Sequence, residues 1–365
     1  SKIDIKGIYM NKIIYLSALA VSIISFNAIA FTKPVTIVEQ GSFATAGTVK
    51  VADGTYNPND PKDLSGQTLH GDHAYVMYQI PQNARKLSLV FLHGYGQSGK
   101  TWETTPDGRD GFNNIFLEEG YKTYVMDEPG RGRAGRSTVA RNVTQTPDDE
   151  LWFNTFRIGV WPNFYDNVAF AQDEKSLDQF FRQMTPDTGI YDENVFAKSV
   201  VDTFEVAGDG ILMTHSAGGG PGFRAATVSD KIKAVISLEP GTFPFPKGEL
   251  PDVEETTSMF PAKGYEISME NFKKLISKPI VVYFGDNIPQ GKTPVKNYGQ
   301  DNWRTRLNLA HEFERVAKKY HGKVSIVSLP DLGVKGNTHF MMSDLNNRDV
   351  AKVIENWLHE NGLDR

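Results

Sequence analysis

Ile211-Leu212-Met213-Thr214-His215-Ser216-Ala217-Gly218 is the stretch that decides the fold. An apolar run of strand type ends in a serine, with small residues two positions away on either side. Such a run reads as a strand turning sharply into a helix, with the turn lifting Ser216 Oγ clear of the sheet edge as a nucleophile elbow. Strand and helix backbones approach closely at such a turn. Thr214 and Gly218 meet the need for small residues there, although a β-branched Thr214 crowds the position usually held by glycine. The following Gly218-Gly219-Gly220-Pro221-Gly222 opens a helix poorly, since each glycine costs about 1 kcal/mol relative to alanine. A late or kinked helix start is therefore expected.

Working outward, similar apolar runs recur at residues 87–92, 121–126, 210–214, 233–238, 279–284 and 324–329, separated by glycine turns and helical segments. Continuous runs of this kind indicate strands buried on both faces, so the fold class is α/β with a mostly parallel central sheet and helices on both sides. Residues 46–52 and 74–80 read as opening antiparallel strands of the same sheet. Leu309, Phe313, Val316, Ala317 and Tyr320 form one helical stripe, and Val350, Val353, Ile354, Trp357 and Leu358 another. Two long lid-like insertions, at about 129–209 and 240–278, leave the carboxyl ends of strands, where open α/β sheets bind ligands. The first carries Trp152, Phe153, Phe156 and Trp161, the expected walls of an apolar substrate pocket.

A serine hydroxyl needs a base, an orienting acid and donors for a developing oxyanion. Of eight histidines, His311, His321, His339 and His359 follow Ser216. His339 stands apart because it lies in a glycine-bearing loop past the last strand, from which it can reach back over the sheet edge. His215 is a poor base, because neighbouring side chains diverge. Two carboxylates at strand ends, Glu239 and Asp286, compete to hold the imidazole, and the pattern alone leaves both open. The oxyanion donors expected are the amides of Ala217, just after the serine, and of Tyr95 in His93-Gly94-Tyr95-Gly96.

Gly94-Tyr95-Gly96-Gln97-Ser98-Gly99-Lys100-Thr101 also matches the phosphate-binding P-loop pattern, with the strand ending at Asp127 as a candidate magnesium site. A P-loop needs a helix beginning at its Lys-Thr, and Pro106 with Gly108 would stop that helix within two turns. Nucleotide binding is thus the minor alternative. His70-Gly71-Asp72-His73 has metal-type residues without a further cluster at ligand spacing, and reads as loop. Neither a metal nor an organic cofactor is required.

The net charge of −5 argues against nucleic acid as a partner. Met10-Asn11-Lys12, an apolar run to Phe26 and Asn27-Ala28-Ile29-Ala30 have the three parts of a secretory signal peptide cleaved before Phe31. Residues 1–30 thus divide into an upstream leader and a signal segment, and 31–365 form the folded domain. The apolar run falls short of the roughly 20 residues that span a bilayer, so no stable membrane insertion is expected after cleavage. The expected location is the periplasm or the exterior. With no cysteine, stability in that oxidising compartment must come from the core.

His93-Gly94, residues 101–109, Gly130-Arg131-Gly132-Arg133, His215-Ser216, Glu239-Pro240-Gly241, Phe284-Gly285-Asp286 and Gly336-Asn337-Thr338-His339 together make the chain resemble the α/β-hydrolase superfamily. Within it the likeness is to exported bacterial serine esterases of the esterase seven-thirteen type. The resemblance implies the α/β-hydrolase fold, with Ser216, His339 and Glu239 as catalytic triad, and leaves Asp286 a supporting role. One departure stands at Tyr95-Gly96, where those esterases can carry adjacent cysteines, so their substrate preference is not carried over. The implied activity is hydrolysis of small-molecule carboxylic esters through an acyl-enzyme. An amidase or peptidase would use the same triad, and a homodimer is compatible with the sequence.

Overall fold

The computed structural model describes residues 33–139 and 141–365. The leader and signal segment read in residues 1–30 lies outside them. Strands β1 (Ile37–Thr45), β4 (Ala74–Pro81), β5 (Ser88–Leu92), β6 (Lys122–Asp127), β9 (Gly210–His215), β10 (Ile232–Leu238), β13 (Ile280–Phe284) and β14 (Val324–Ser328) form one sheet in the order β1-β4-β6-β5-β9-β10-β13-β14. Only β1 with β4 and β4 with β6 pair antiparallel. The other neighbours are parallel, so their carboxyl ends share one rim.

Alternation along each buried strand divides the core between the two faces. In β9, Leu212 packs with Phe204, Phe223 and Phe313 on one side, while Ile211 and Met213 pack with Phe116, Val350 and Ile354 on the other. The helices follow this division. Helices α4 (Glu193–Ala207), α5 (Gly219–Val228), α6 (Met269–Ile276) and α7 (Tyr298–Lys319) cover the first face; α1 (Phe112–Glu118) and α8 (Asn347–Glu360) cover the second. Among the described residues, no helix is long and apolar enough to cross a membrane.

Three expectations are corrected. The run at 46–52 is not part of the main sheet: β2 (Thr48–Val51) pairs with β3 (Thr68–Gly71) as a separate ribbon, and the first strand of the sheet is β1. The exposed side chains throughout β2 give it no face to bury. His70 accordingly lies in a strand rather than a loop. The interval 129–209 is also not all insertion, because Phe196, Val200 and Phe204 of α4 pack into the core beside β9. What projects beyond the sheet holds α2 (Asp149–Thr155), the short β7–β8 pair (Gly159–Val160, Asn163–Phe164) and α3 (Glu174–Phe181). Between β10 and β13 the chain adds a parallel pair, β11 (Pro244–Pro246) and β12 (Tyr265–Ile267), before α6.

Candidate active site

β9 ends at His215 in extended conformation, and Ser216 then takes φ +54°. This left-handed geometry costs an L-residue about 1–2 kcal/mol, and strain of this kind gathers where a side chain must be aimed. A 3₁₀ turn (Ser216–Gly218) precedes α5, so the helix starts late, as its glycines suggest. Close approach explains two of them. A Cβ on Gly218 would stand 2.3 Å from the His93 carbonyl oxygen, and one on Gly222 would stand 2.6 Å from Thr214 Cγ2. Gly222 thus makes the room that the β-branched Thr214 takes.

His339 arrives on the loop after β14. Its Nδ1 lies 2.7 Å from Glu239 Oε1, both side chains being fully buried. Arg157 donates to Glu239 through a two-pronged fork at 2.8 and 2.6 Å, and Gly285 N–H adds a third donor at 2.7 Å. Burial alone would push the Glu239 carboxyl up. The Arg157 charge and the donors outweigh it and hold the group at about 2. An ionised carboxylate keeps the proton on Nδ1 and leaves the Nε2 lone pair free. That Nε2 is buried without a partner among the described residues.

The ring of His339 is flanked by Phe156 (centroids 5.3 Å) and Trp303 (4.1 Å), and its backbone N–H donates to the Phe156 carbonyl. Burial pushes the imidazole below its ordinary value, with Arg157 and Arg306 adding repulsion and Glu239 opposing them. No hydrogen bond joins Ser216 Oγ to His339 Nε2 here, and such bonds often tighten only around substrate.

Asp286 does not reach the imidazole. Its carboxylate accepts from Gly336 N–H at 2.8 Å and its carbonyl accepts from Arg157 Nε at 2.8 Å, so it braces the loop that carries His339. Asp344 braces the same loop, accepting from Thr338 N–H and Oγ1. His215 turns away from Ser216 and donates through Nε2 to the His339 carbonyl. His311 and His359 are exposed, and His321 follows the end of α7.

The loop after β5 lies against the elbow: a Cβ on Gly94 would be 2.7 Å from Ser216 Cβ and 3.2 Å from Ala217 N. The buried His93 donates from Nδ1 to the Gly94 carbonyl and accepts at Nε2 from Glu128 N–H. Fixing that carbonyl fixes the Gly94–Tyr95 peptide plane, and with it the direction of Tyr95 N–H. Among the described residues, neither Tyr95 N–H nor Ala217 N–H has an acceptor.

The sequence is 30% identical to a protein solved as a novel bacterial esterase at atomic resolution, with 91% of this chain and 98% of that one superposed at a TM-score of 0.72. The chain belongs to the α/β-hydrolase superfamily. It is also 25% identical over 329 residues to a probable secreted lipase, phiG, of Fungal sp. (strain ATCC 74256), covering 78% of this chain and 85% of that protein. No protein-family model matches the sequence.

In this α/β-hydrolase a cavity of about 400 Å³ opens above the elbow, with Ser216 and Ala217 in its lining. Trp152 and Phe156 form part of its wall. Phe153 and Trp161 do not: Phe153 is fully buried, packed edge-on against Trp161 and Phe164, because α2 turns its 153 face inward. Tyr95, read in the sequence only for its amide, also lines the cavity, together with Tyr191, Phe260, Trp303, Arg306 and the ion pair Arg141–Asp187, which were not legible in the sequence. Arg157 was missed too. An arginine and its carboxylate 82 positions apart leave no local signal.

The P-loop alternative fails on the same ground that the hydrolase stands on. The turn ends in a 3₁₀ helix of only four residues, Gly99–Trp102. Gly99 N–H donates to Asp127 at 2.7 Å, and Arg133 fills the other Asp127 oxygen. The protein's own carboxylate occupies an amide that a phosphate would need.

Proposed function

We propose that this α/β-hydrolase is an exported serine carboxylesterase. The observation that carries the reading is the buried Glu239–His339 pair, which leaves one imidazole nitrogen free on a ring 4.3 Å from that of His215, the residue before the strained serine. Ser216 Oγ attacks the ester carbonyl carbon while His339 Nε2 takes its proton. The resulting oxyanion is held by the Tyr95 and Ala217 amides, donors set in place before reaction. Collapse expels the alcohol, which receives the proton from His339, and water repeats the cycle to release the acid. The aromatic wall takes the apolar part of the ester. The esterase and secreted-lipase descriptions of the relatives support the bond type and the export.

A fluorophosphonate ester is expected to inactivate the enzyme with one equivalent bound. Mass spectrometry of the digest should place the adduct on Ser216; an adduct on another residue would move the nucleophile elsewhere.

The pH profile offers an independent check. A protonated His339 cannot accept the serine proton, so the rate is lost as pH falls through its pKa. Because that pKa lies below the ordinary 6.5, the acid limb of kcat/KM for a neutral ester is expected below this value. A limb at or above 6.5 would contradict the lowered value, and a profile with no acid limb would contradict the base assignment.

A further inference from the structure

Resting on the esterase reading, we infer that the natural esters carry a carboxylate, and that Arg306 is the residue that selects them. Arg306 lies on α7, one turn from Trp303, and both line the cavity that contains Ser216.

What sets Arg306 apart is its partners. Arg157 has Glu239, Arg141 has Asp187 at 2.8 Å, and Arg304, two residues away on α7, has Asp301 at 2.7 Å. Arg306 has only neutral acceptors: the Phe260 carbonyl at 3.0 Å, the Asn302 carbonyl at 3.2 Å and Asn302 Oδ1 at 2.7 Å. All three bind Nη1, so among the described residues Nη2 and Nε have no acceptor and no carboxylate pairs with this guanidinium. Arg306 is half-buried, its side chain lining the cavity, and desolvation there pushes the group down to about 10.

A guanidinium at the wall of an aromatic cavity binds an anion more strongly than it binds neutral oxygens, because a charge-assisted hydrogen bond is about twice as strong as a neutral one. Here one edge of a planar fork is fastened by neutral oxygens, and its remaining donors are left for something the protein does not supply. A carboxylate fits, because two oxygens match two parallel N–H groups. The aromatic walls around it, Trp152, Phe156, Phe260 and Trp303, suit a short apolar spacer between that carboxylate and the ester. The carboxylate can come from the acyl side, as in a hemiester of a dicarboxylic acid, or from the alcohol side, as in an ester of a hydroxy acid.

Two matched pairs separate these sources: monoethyl glutarate against its ω-amide, and 4-acetoxybenzoate against 4-acetoxybenzamide. The wild-type enzyme is expected to favour the carboxylate in one pair by about tenfold or more in kcat/KM, chiefly through KM. The pair that responds identifies the side. Arg306→Gln should bring that ratio to one or below, and Arg306→Lys should retain part of it, because the charge stays while the fork is lost. Amides equal to or better than carboxylates in both wild-type pairs would overturn the inference, as would a ratio that survives Arg306→Gln. Should the glutamine variant not fold, the wild-type comparison decides alone. Failure to hydrolyse any of the four esters, or phenyl acetate, would strike the esterase reading itself.

Discussion

Alanine in place of Ser216 is expected to lower kcat for ester hydrolysis by about a million-fold, with the thermal midpoint unchanged. Members of a catalytic triad act as a unit, so loss of the nucleophile alone removes nearly all that the unit supplies. The residue left at 216 still carries a Cβ, so the alanine variant keeps the cost of φ +54°. Ser216→Gly separates the two effects. It should be equally inactive yet more stable by about 1 kcal/mol, because glycine adopts positive φ freely. Steady-state assays at high enzyme concentration with parallel thermal melts would check both. A Ser216→Ala enzyme retaining more than about a hundredth of kcat would remove Ser216 from the mechanism. A glycine variant no more stable than the alanine one would show that the turn stores no strain.

The second large effect is expected at Arg157. Arg157→Met should destabilise the protein by about 3–5 kcal/mol at neutral pH, since breaking a buried ion pair leaves an uncompensated charge in the core. The pKa of Glu239 leads to a similar figure. Its folded value of about 2 lies below the ordinary 4.5. The group therefore contributes about 3 kcal/mol above pH 4.5, lost as pH falls from there towards 2. Both side chains are fully buried, so solvent screening takes little of this. Urea unfolding at pH 7 and at pH 3 tests the account. The gap between wild type and Arg157→Met should be wide at pH 7 and narrower at pH 3, where Glu239 is protonated in the unfolded chain and in the variant but still ionised in the folded wild type. A gap independent of pH would mean that Arg157 acts by filling space. Ester turnover should fall as well, because a neutral Glu239 no longer holds the imidazole proton on Nδ1.

Neither arginine that governs this site was readable from the sequence, whereas the sheet was. The strands announced themselves because β5, β9, β10 and β13 are buried on both faces and so read as unbroken apolar runs. β1 escaped because it is an edge strand with Glu39, Gln40 and Ser42 among its exposed residues. Ser216, Glu239 and His339 stand at strand ends or in the loop beyond, where turn chemistry marks them. Arg157 and Arg306 sit in a projecting segment and in mid-helix, and their meaning depends on what the fold brings beside them. The same limit explains Phe153 and Trp161, since an aromatic-rich segment does not say which ring faces the cavity. In Gly94–Thr101 the letters of a nucleotide site were all present, and only the placement of Asp127 shows the turn already filled.

The fit of Gly222 under Thr214 ties two positions into a single evolutionary unit. A lineage with glycine at the earlier position could accept alanine at the later one and gain helix propensity. Here that step is closed until the threonine is lost first, so the order of mutations, and not only their identity, constrains how this serine turn can diverge.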